Sequence, residues 1–262
     1  TGVVVTGTSG AVITFLATTT GKTITTNNVT LGAMGIFFSG VGGGWTLGSA
    51  YTSTSSFTVT NGDFSTANYA ISSSAITAST TSTRSVSLGS SAISVSAVTG
   101  VNITTATGLT FNAGTSTITL SNASPTLNGG GQTFYNVTFS SAAAGTTSIA
   151  GANTFNNLTQ TSRSATGVRS VIFNTNQTIN GTLILGAANT SIRRLLVYGT
   201  TAVAVGVGTP ITLTVATITT LADVNFRDIV AAGASGTWSG TRLGNGGGNS
   251  NITFNAGVNK YW

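Results

Sequence analysis

The 262-residue chain contains no cysteine, no histidine and no glutamate, and only three aspartates and two prolines. Without cysteine there is no disulfide framework and no thiolate to act as nucleophile or metal ligand, although this assigns no redox compartment. Without histidine and glutamate, general acid–base and nucleophilic catalysis have few possible actors beyond Asp63, Asp223 and Asp228. The expectation is a protein that is not an enzyme and uses no metal or cofactor. Charged residues make up 5% of the chain, against roughly 25% in ordinary soluble domains. Good helix formers such as Glu, Lys, Gln and Leu are also scarce, so almost no helix is expected.

Long hydrophobic runs are missing too. The most apolar stretch, Leu31-Gly-Ala-Met-Gly-Ile-Phe-Phe-Ser-Gly40, is interrupted by glycine and falls short of the roughly 20 residues a membrane helix needs. No membrane span is expected, and the aromatic girdles of an outer-membrane barrel are not evident. A net charge of +6 and a pI near 10.4 raise the question of an acidic partner. The nine cations are spread along the chain without a dense patch, so no nucleic-acid partner is expected. The chain opens on Thr1-Gly-Val-Val-Val5 with neither an initiator Met nor a signal peptide, which reads as a processed product or a piece of something longer.

What the sequence does have is alternation. Thr, Ser, Val and Ile alternate in short runs such as Phe57-Thr-Val-Thr60, Ser85-Val-Ser-Leu88, Ser116-Thr-Ile-Thr-Leu120 and Thr182-Leu-Ile-Leu185. Each run stops at Gly, Asn or Ser, as short strands ended by turns should. Hydrophobic residues still reach 40%, enough to bury a continuous core.

The runs also recur. Gln132-Thr-Phe-Tyr-Asn-Val-Thr138 returns as Asn153-Thr-Phe-Asn-Asn-Leu-Thr159, and the apolar beat continues to Ile179, placing Val137, Leu158 and Ile179 in one expected register. Repetition at this spacing marks stacked units rather than one irregular globule. The predicted fold is all-β, a right-handed parallel β-helix, or β-solenoid, with coils of about 20 residues and a C-terminal cap. Residues 1–232 are read as solenoid coils and residues 233–262 as a Gly/Asn-rich final coil or cap. Gly246-Gly-Gly-Asn-Ser250, Ile252-Thr-Phe254 and Lys260-Tyr-Trp262 are the cap's expected parts. About twelve coils would make a rod on the order of 55 to 60 Å long at one strand spacing per coil. Asn at successive turns is expected to form amide ladders along the stack. Like charges at equivalent positions would repel at every coil, which gives a reason for their scarcity.

Motifs that carry chemistry are few. Gly21-Lys22-Thr23 matches the end of a phosphate-binding loop, but Leu16 stands where the leading glycine belongs and no helix pattern follows. Asp223 and Asp228, with Arg227 between them, are the one close acid pair. Strand alternation sets them on opposite faces unless a turn intervenes, and an Asp–Arg pair closing a coil corner is the preferred reading over paired catalytic carboxylates. Arg193-Arg194 is likewise read as a corner rather than a phosphate clamp. Trp45, Trp238 and Trp262, beside Gly-rich stretches, are the candidates for stacking on sugar rings, against the competing reading of burial in caps and corners.

Five segments carry a resemblance: Gly62-Asp-Phe-Ser-Thr-Ala-Asn-Tyr69, Arg84-Ser-Val-Ser-Leu-Gly89, Leu109-Thr-Phe-Asn-Ala-Gly-Thr-Ser-Thr-Ile-Thr-Leu120, Val224-Asn-Phe-Arg-Asp-Ile229 and Gly247-Gly-Asn-Ser-Asn-Ile-Thr-Phe254. They resemble rungs of repetitive β-helical virion-surface or tail-fibre-like proteins of aquatic and uncultured phages. The resemblance implies a structural fibre on a virion or cell surface, extracellular in location, that attaches to a host-surface glycan or receptor. Its other implied partners are further copies of itself or virion proteins. It transfers no catalytic residue. A secreted bacterial adhesin and a self-assembling extracellular filament subunit share the same physics, and a polysaccharide-degrading tail spike is the enzymatic alternative.

Overall fold

The structure, a computed structural model, describes residues 11–162, 166–186, 188–199 and 209–255. Among these there is no helix, and every strand-to-strand pairing is parallel. The chain winds as a β-solenoid of about 10 turns with coils of about 23 residues. At one strand spacing per turn the stack is roughly 45 Å long, shorter than twelve 20-residue coils would have made it. Paired positions lie from 18 residues apart, Ile211 with Ile229, to 36 apart, Ile179 with Val215. Strands are therefore held in place by their inward side chains, while the excursions between them vary in length.

Three sheets wrap the core. An 11-stranded sheet runs the whole described length, from Val12–Phe15 to Gly244–Asn245. A nine-stranded sheet runs from Tyr51–Thr52 to Ile229–Ala232, and a five-stranded sheet from Lys22–Ile24 stops at Leu109–Asn112. Beyond that point the strands lengthen: Thr133–Phe139 and Thr154–Gln160 have 7 residues and Gln177–Leu185 has 9. Phe134 packs its ring 5.2 Å from Phe111, so the first part of Thr133–Phe139 follows on from the five-stranded sheet while its second part pairs in the nine-stranded one.

Alternation explains the columns inside. In the 11-stranded sheet Ile36, Phe57, Ile76, Val101, Leu127, Ile149 and Phe173 lie one above another. In the nine-stranded sheet the column is Tyr51, Ile71, Ile93, Ile118, Val137, Leu158, Leu183 and Ile218. Most of these side chains are fully buried, each contributing about 1.5–3 kcal/mol by leaving water. Their outward neighbours form rows of hydroxyls: Thr52, Ser72, Ser94, Thr119, Thr138 and Thr159 are consecutive on one face.

The expected register of Val137, Leu158 and Ile179 needs correction. Val137 pairs with Leu158, but Leu158 pairs with Leu183, and Ile179 stacks on Phe155. Three steps separate Phe155 from Leu158, whereas four separate Ile179 from Leu183, because the later strand carries one extra residue at its bend. The 21-residue repeat holds only for the one step that lacks this insertion. An amide ladder does form, at the bend rather than at turns. Asn157 Nδ2 donates to Asn136 Oδ1 at 2.9 Å, and Asn157 Oδ1 accepts the Thr182 amide at 2.8 Å. The ladder thus satisfies a backbone group at the point where the inserted residue disturbs pairing.

The Gly/Asn-rich C-terminal segment continues the stack. Gly240–Thr241 pairs with Leu221–Ala222, Gly244–Asn245 pairs with Val224–Arg227, and bridges join Val230 to Ser250 and Trp238 to Ile252. Lys260-Tyr-Trp262 lies outside the described residues.

Candidate functional site

Two of the three tryptophans put forward for sugar stacking are core residues. Trp45 is buried against Phe38, with ring centroids 5.2 Å apart. Trp238 is buried 5.9 Å from the Phe226 ring and donates its indole N–H to Ser235 Oγ at 3.0 Å. Neither presents a ring face to a ligand, because an inward strand position encloses the whole indole. Trp262 lies outside the described residues.

The acid pair sits at two coil corners. Asp223 and Asp228 bracket the strand Val224–Arg227, and both adopt left-handed backbone, with φ of 56° and 55°. Short Asp side chains tolerate that conformation, which bends the chain sharply into and out of the strand. Both carboxylates are buried. Asp223 accepts Arg194 Nη1 at 2.9 Å through Oδ1 and Arg242 Nη2 at 2.6 Å through Oδ2. Asp228 lies 3.3 Å from Arg227 Nε as an ion pair without hydrogen-bond geometry. Burial pushes the Arg194 guanidinium below its usual range, with Asp223 opposing and Arg242 adding to the fall; the hydrogen bond that Arg242 donates to Asp223 holds Arg242 above it. Asp223 is therefore tied to two arginines, as the corner reading expected, whereas Asp228 has only Arg227 beside it and neither of its buried oxygens accepts a hydrogen bond.

These corners shape an outward groove. It lies on the outer face of the 11-stranded sheet where Leu195–Gly199, Val224–Arg227 and Gly244–Asn245 succeed one another, and it encloses about 430 Å³. Along it Leu196 lies beside Asn225 and Tyr198 beside Arg227, so apolar and polar side chains neighbour one another from strand to strand. The last strand passes so close that a side chain at Gly244 would meet Asn225 Oδ1 at 2.0 Å, so only glycine keeps the groove open there.

Asn225 Oδ1 is taken by Arg194 Nε and Nη2 at 2.9 and 2.6 Å. Asn245 Oδ1 is taken by the Gly247 amide and by Asn249 Nδ2, both at 2.9 Å. Asn225 is thereby oriented on the outer face, whereas Asn245, in register with the inward Phe226, is held against Asn249 at the end of the stack. Arg227 lies over the Tyr198 ring, 5.1 Å from the centroid, and neither terminal nitrogen of its guanidinium bonds to any described residue. None of this was singled out beforehand, since Tyr198 and Arg227 are 29 residues apart in sequence and only the long excursion between their strands brings them together.

No protein-family model, curated protein or solved structure matches the chain. Among the described residues no helix is long and apolar enough to cross a membrane, and no cluster of three or more acidic residues could hold a metal ion.

Proposed function

We propose that the chain is a structural fibre of a virion or cell surface, tail-fibre-like, whose task is attachment to a host surface. The supporting observation is the uninterrupted parallel stack, whose core columns run from coil to coil and whose outer rows are hydroxyls and amides rather than charges. Coils joined by continuous backbone pairing and shared core columns pass the position of one to the next. The sparse charge of the outer faces keeps repulsion between neighbouring copies small. Several copies held together would turn weak surface sites into strong adhesion through effective concentration.

The test is co-sedimentation of the purified, fluorescently labelled chain with a panel of bacterial cell envelopes. Saturable binding to some envelopes and not others, competed by unlabelled chain, is expected; uniform non-binding across the panel would sink the reading. Electron microscopy of the same preparation should show discrete short rods. Continuous filaments would favour the self-assembling alternative instead.

A further inference from the structure

We infer that Asn180 is a site of self-modification: the Asn180–Gly181 pair closes to a succinimide in the folded chain and opens to an aspartyl or isoaspartyl residue, while the other Asn–Gly pairs of the chain are held back. The chemistry needs only water and is independent of the attachment reading.

The step is an attack by the Gly181 backbone nitrogen on Cγ of the Asn180 side chain. A new N–Cγ bond forms, the bond from Cγ to Nδ2 breaks, and Nδ2 leaves as ammonia, carrying the proton of the Gly181 amide. Water then adds to one of the two ring carbonyls and opens the ring. Addition at one carbonyl restores the backbone with an acid side chain; addition at the other leaves the backbone running through the side chain. Nothing is oxidised or reduced. Glycine is the favoured second residue because it has no side chain to shield the attacking nitrogen.

The sequence holds four such pairs, Asn61–Gly62, Asn128–Gly129, Asn180–Gly181 and Asn245–Gly246. In three of them the attacking nitrogen is engaged across the stack. Gly62 donates to the Thr83 carbonyl at 3.2 Å, Gly129 to Ala150 at 2.9 Å and Gly246 to Phe226 at 2.7 Å. Asn245 is held a second time, since its Oδ1 accepts from the Gly247 amide and from Asn249 Nδ2.

Asn180–Gly181 differs in its pairing, its exposure and its packing. It falls in the gap of both registers: pairing stops at Ile179 on either side and resumes at Leu183 against Leu158 and at Thr182 against Thr217. Asn180 is exposed, and its carboxamide bonds no described residue. Gly181 is fixed as glycine by the preceding coil, since a side chain there would meet the Asn156 carbonyl oxygen at 2.5 Å and Asn157 Oδ1 at 2.6 Å. The insertion that shifts the column before Leu183 thus also takes one Asn–Gly peptide out of both ladders, and backbone paired with neither neighbour is freer to rotate toward the ring-closing geometry. The product alters a neutral face. No strand of the nine-stranded sheet contains a charged residue, so a carboxylate at position 180 would be its first.

The experiment is ageing of the intact folded chain in mildly alkaline buffer, with a parallel sample in urea, followed by peptide mapping by mass spectrometry and labelling with an isoaspartyl methyltransferase. In the folded chain, conversion at Asn180 is expected to be at least about fivefold faster than at Asn61, Asn128 or Asn245, the ratio given by the net worth of one backbone hydrogen bond. In urea the four pairs should converge on similar rates, because the folded backbone is what separates them. Asn180→Gln, which would have to close a larger ring, should gain no isoaspartate at this position. A folded chain that converts elsewhere as fast as at Asn180, one that converts at none of the four pairs, rates in urea that keep the ratio of the folded chain, or an Asn180→Gln protein that accumulates isoaspartate at the parent's rate would each overturn the assignment.

Discussion

The two halves of the solenoid solve the same packing problem with different materials. Up to about residue 130 the coils are three-sided, with strands of 2 to 4 residues, and the rings of Phe38, Trp45, Tyr51, Phe57 and Phe64 fill the centre of the first coils. Phe38 alone has Phe15, Trp45, Phe57 and Phe64 within 4.9 to 5.3 Å. The one cation buried there, Arg84, points inward and is held by backbone carbonyls of Ala78, Ser82, Thr105 and Thr107. From Thr133–Phe139 to Ile211–Ile218 the strands are longer, the buried rings are spread along the stack instead of gathered in one cluster, and buried amides join the core. Gln160 stands in a column between Phe139 and Leu185, where it accepts from Thr147 at 2.8 Å and from Arg169 at 3.4 Å. Arg169 also reaches the Ala123 carbonyl. Burial lowers the guanidinium of both Arg84 and Arg169 below the usual arginine range. The contrast teaches where charge is tolerated in a stack. Paired strands satisfy their own backbone, whereas the excursions between them, in either half, leave carbonyls and amides that long donors and acceptors such as Arg84, Gln160 and Arg169 reach.

The comparison can be broken most severely at the ring cluster. Phe38→Ala should cost about 3–5 kcal/mol in urea unfolding, because four rings lose a partner and the corner cannot collapse onto a single alanine. A loss below about 1 kcal/mol would show that the rings are loosely packed.

In the other half the largest effect is expected at Asp223. Asp223→Asn should cost about 3 kcal/mol, since Arg194, at 15% side-chain exposure, is left as a largely buried charge without its counter-ion. Arg242→Ala, with 51% of the Arg242 side chain exposed, should cost clearly less. If the two variants were equally destabilised, the Asp223 corner would be held by the exposed arginine and not by the buried one.

Arg84 sharpens the point, because it lies in the ring-rich half yet does the same work. Arg84→Met should cost about 2 kcal/mol by leaving several carbonyls without donors, even though an apolar side chain fills much of the space. A neutral result would mean that water satisfies those carbonyls.

The smallest effect belongs to Tyr51, which is fully buried in the ring cluster. Its hydroxyl has no hydrogen-bond partner; the nearby Ser53 hydroxyl donates to the Met34 carbonyl at 2.6 Å instead. Burial raises the Tyr51 hydroxyl above its ordinary value of 10.0, and Ser53 offsets only part of the rise. The folded state therefore holds the neutral phenol, so its stability contribution is intact below pH 10 and is lost as pH climbs beyond it. Tyr51→Phe should leave stability at neutral pH within about 1 kcal/mol of the parent and should flatten the fall in denaturation midpoint above pH 10. An unchanged alkaline slope would place the titrating group elsewhere.

Much of the architecture was legible before any coordinates. Alternating Thr, Val and Ile with Gly and Asn stops implies short strands, and the repeat of Gln132–Thr138 at Asn153–Thr159 implies stacking; both are local properties of the chain. The Asn136–Asn157 contact and the corner role of the aspartates follow from the same patterns. The register past Leu158, the burial of Trp45 and Trp238, and the meeting of Tyr198 with Arg227 were not legible. Each depends on how many residues the chain uses between one strand and the next.

An alternating segment carries its own instruction to become a strand and to turn one face inward, so sequence alone determined the fold class and the chemistry of the outer rows. Which strand lies over which, and by what offset, was decided only in the tertiary structure. There, one extra residue before Leu183 shifts a column, and an excursion of 29 residues between Tyr198 and Arg227 closes a groove. The physical reason is that stacking energy is gained by the inward side chains, while the loops between them are solvated at nearly constant cost over a wide range of lengths.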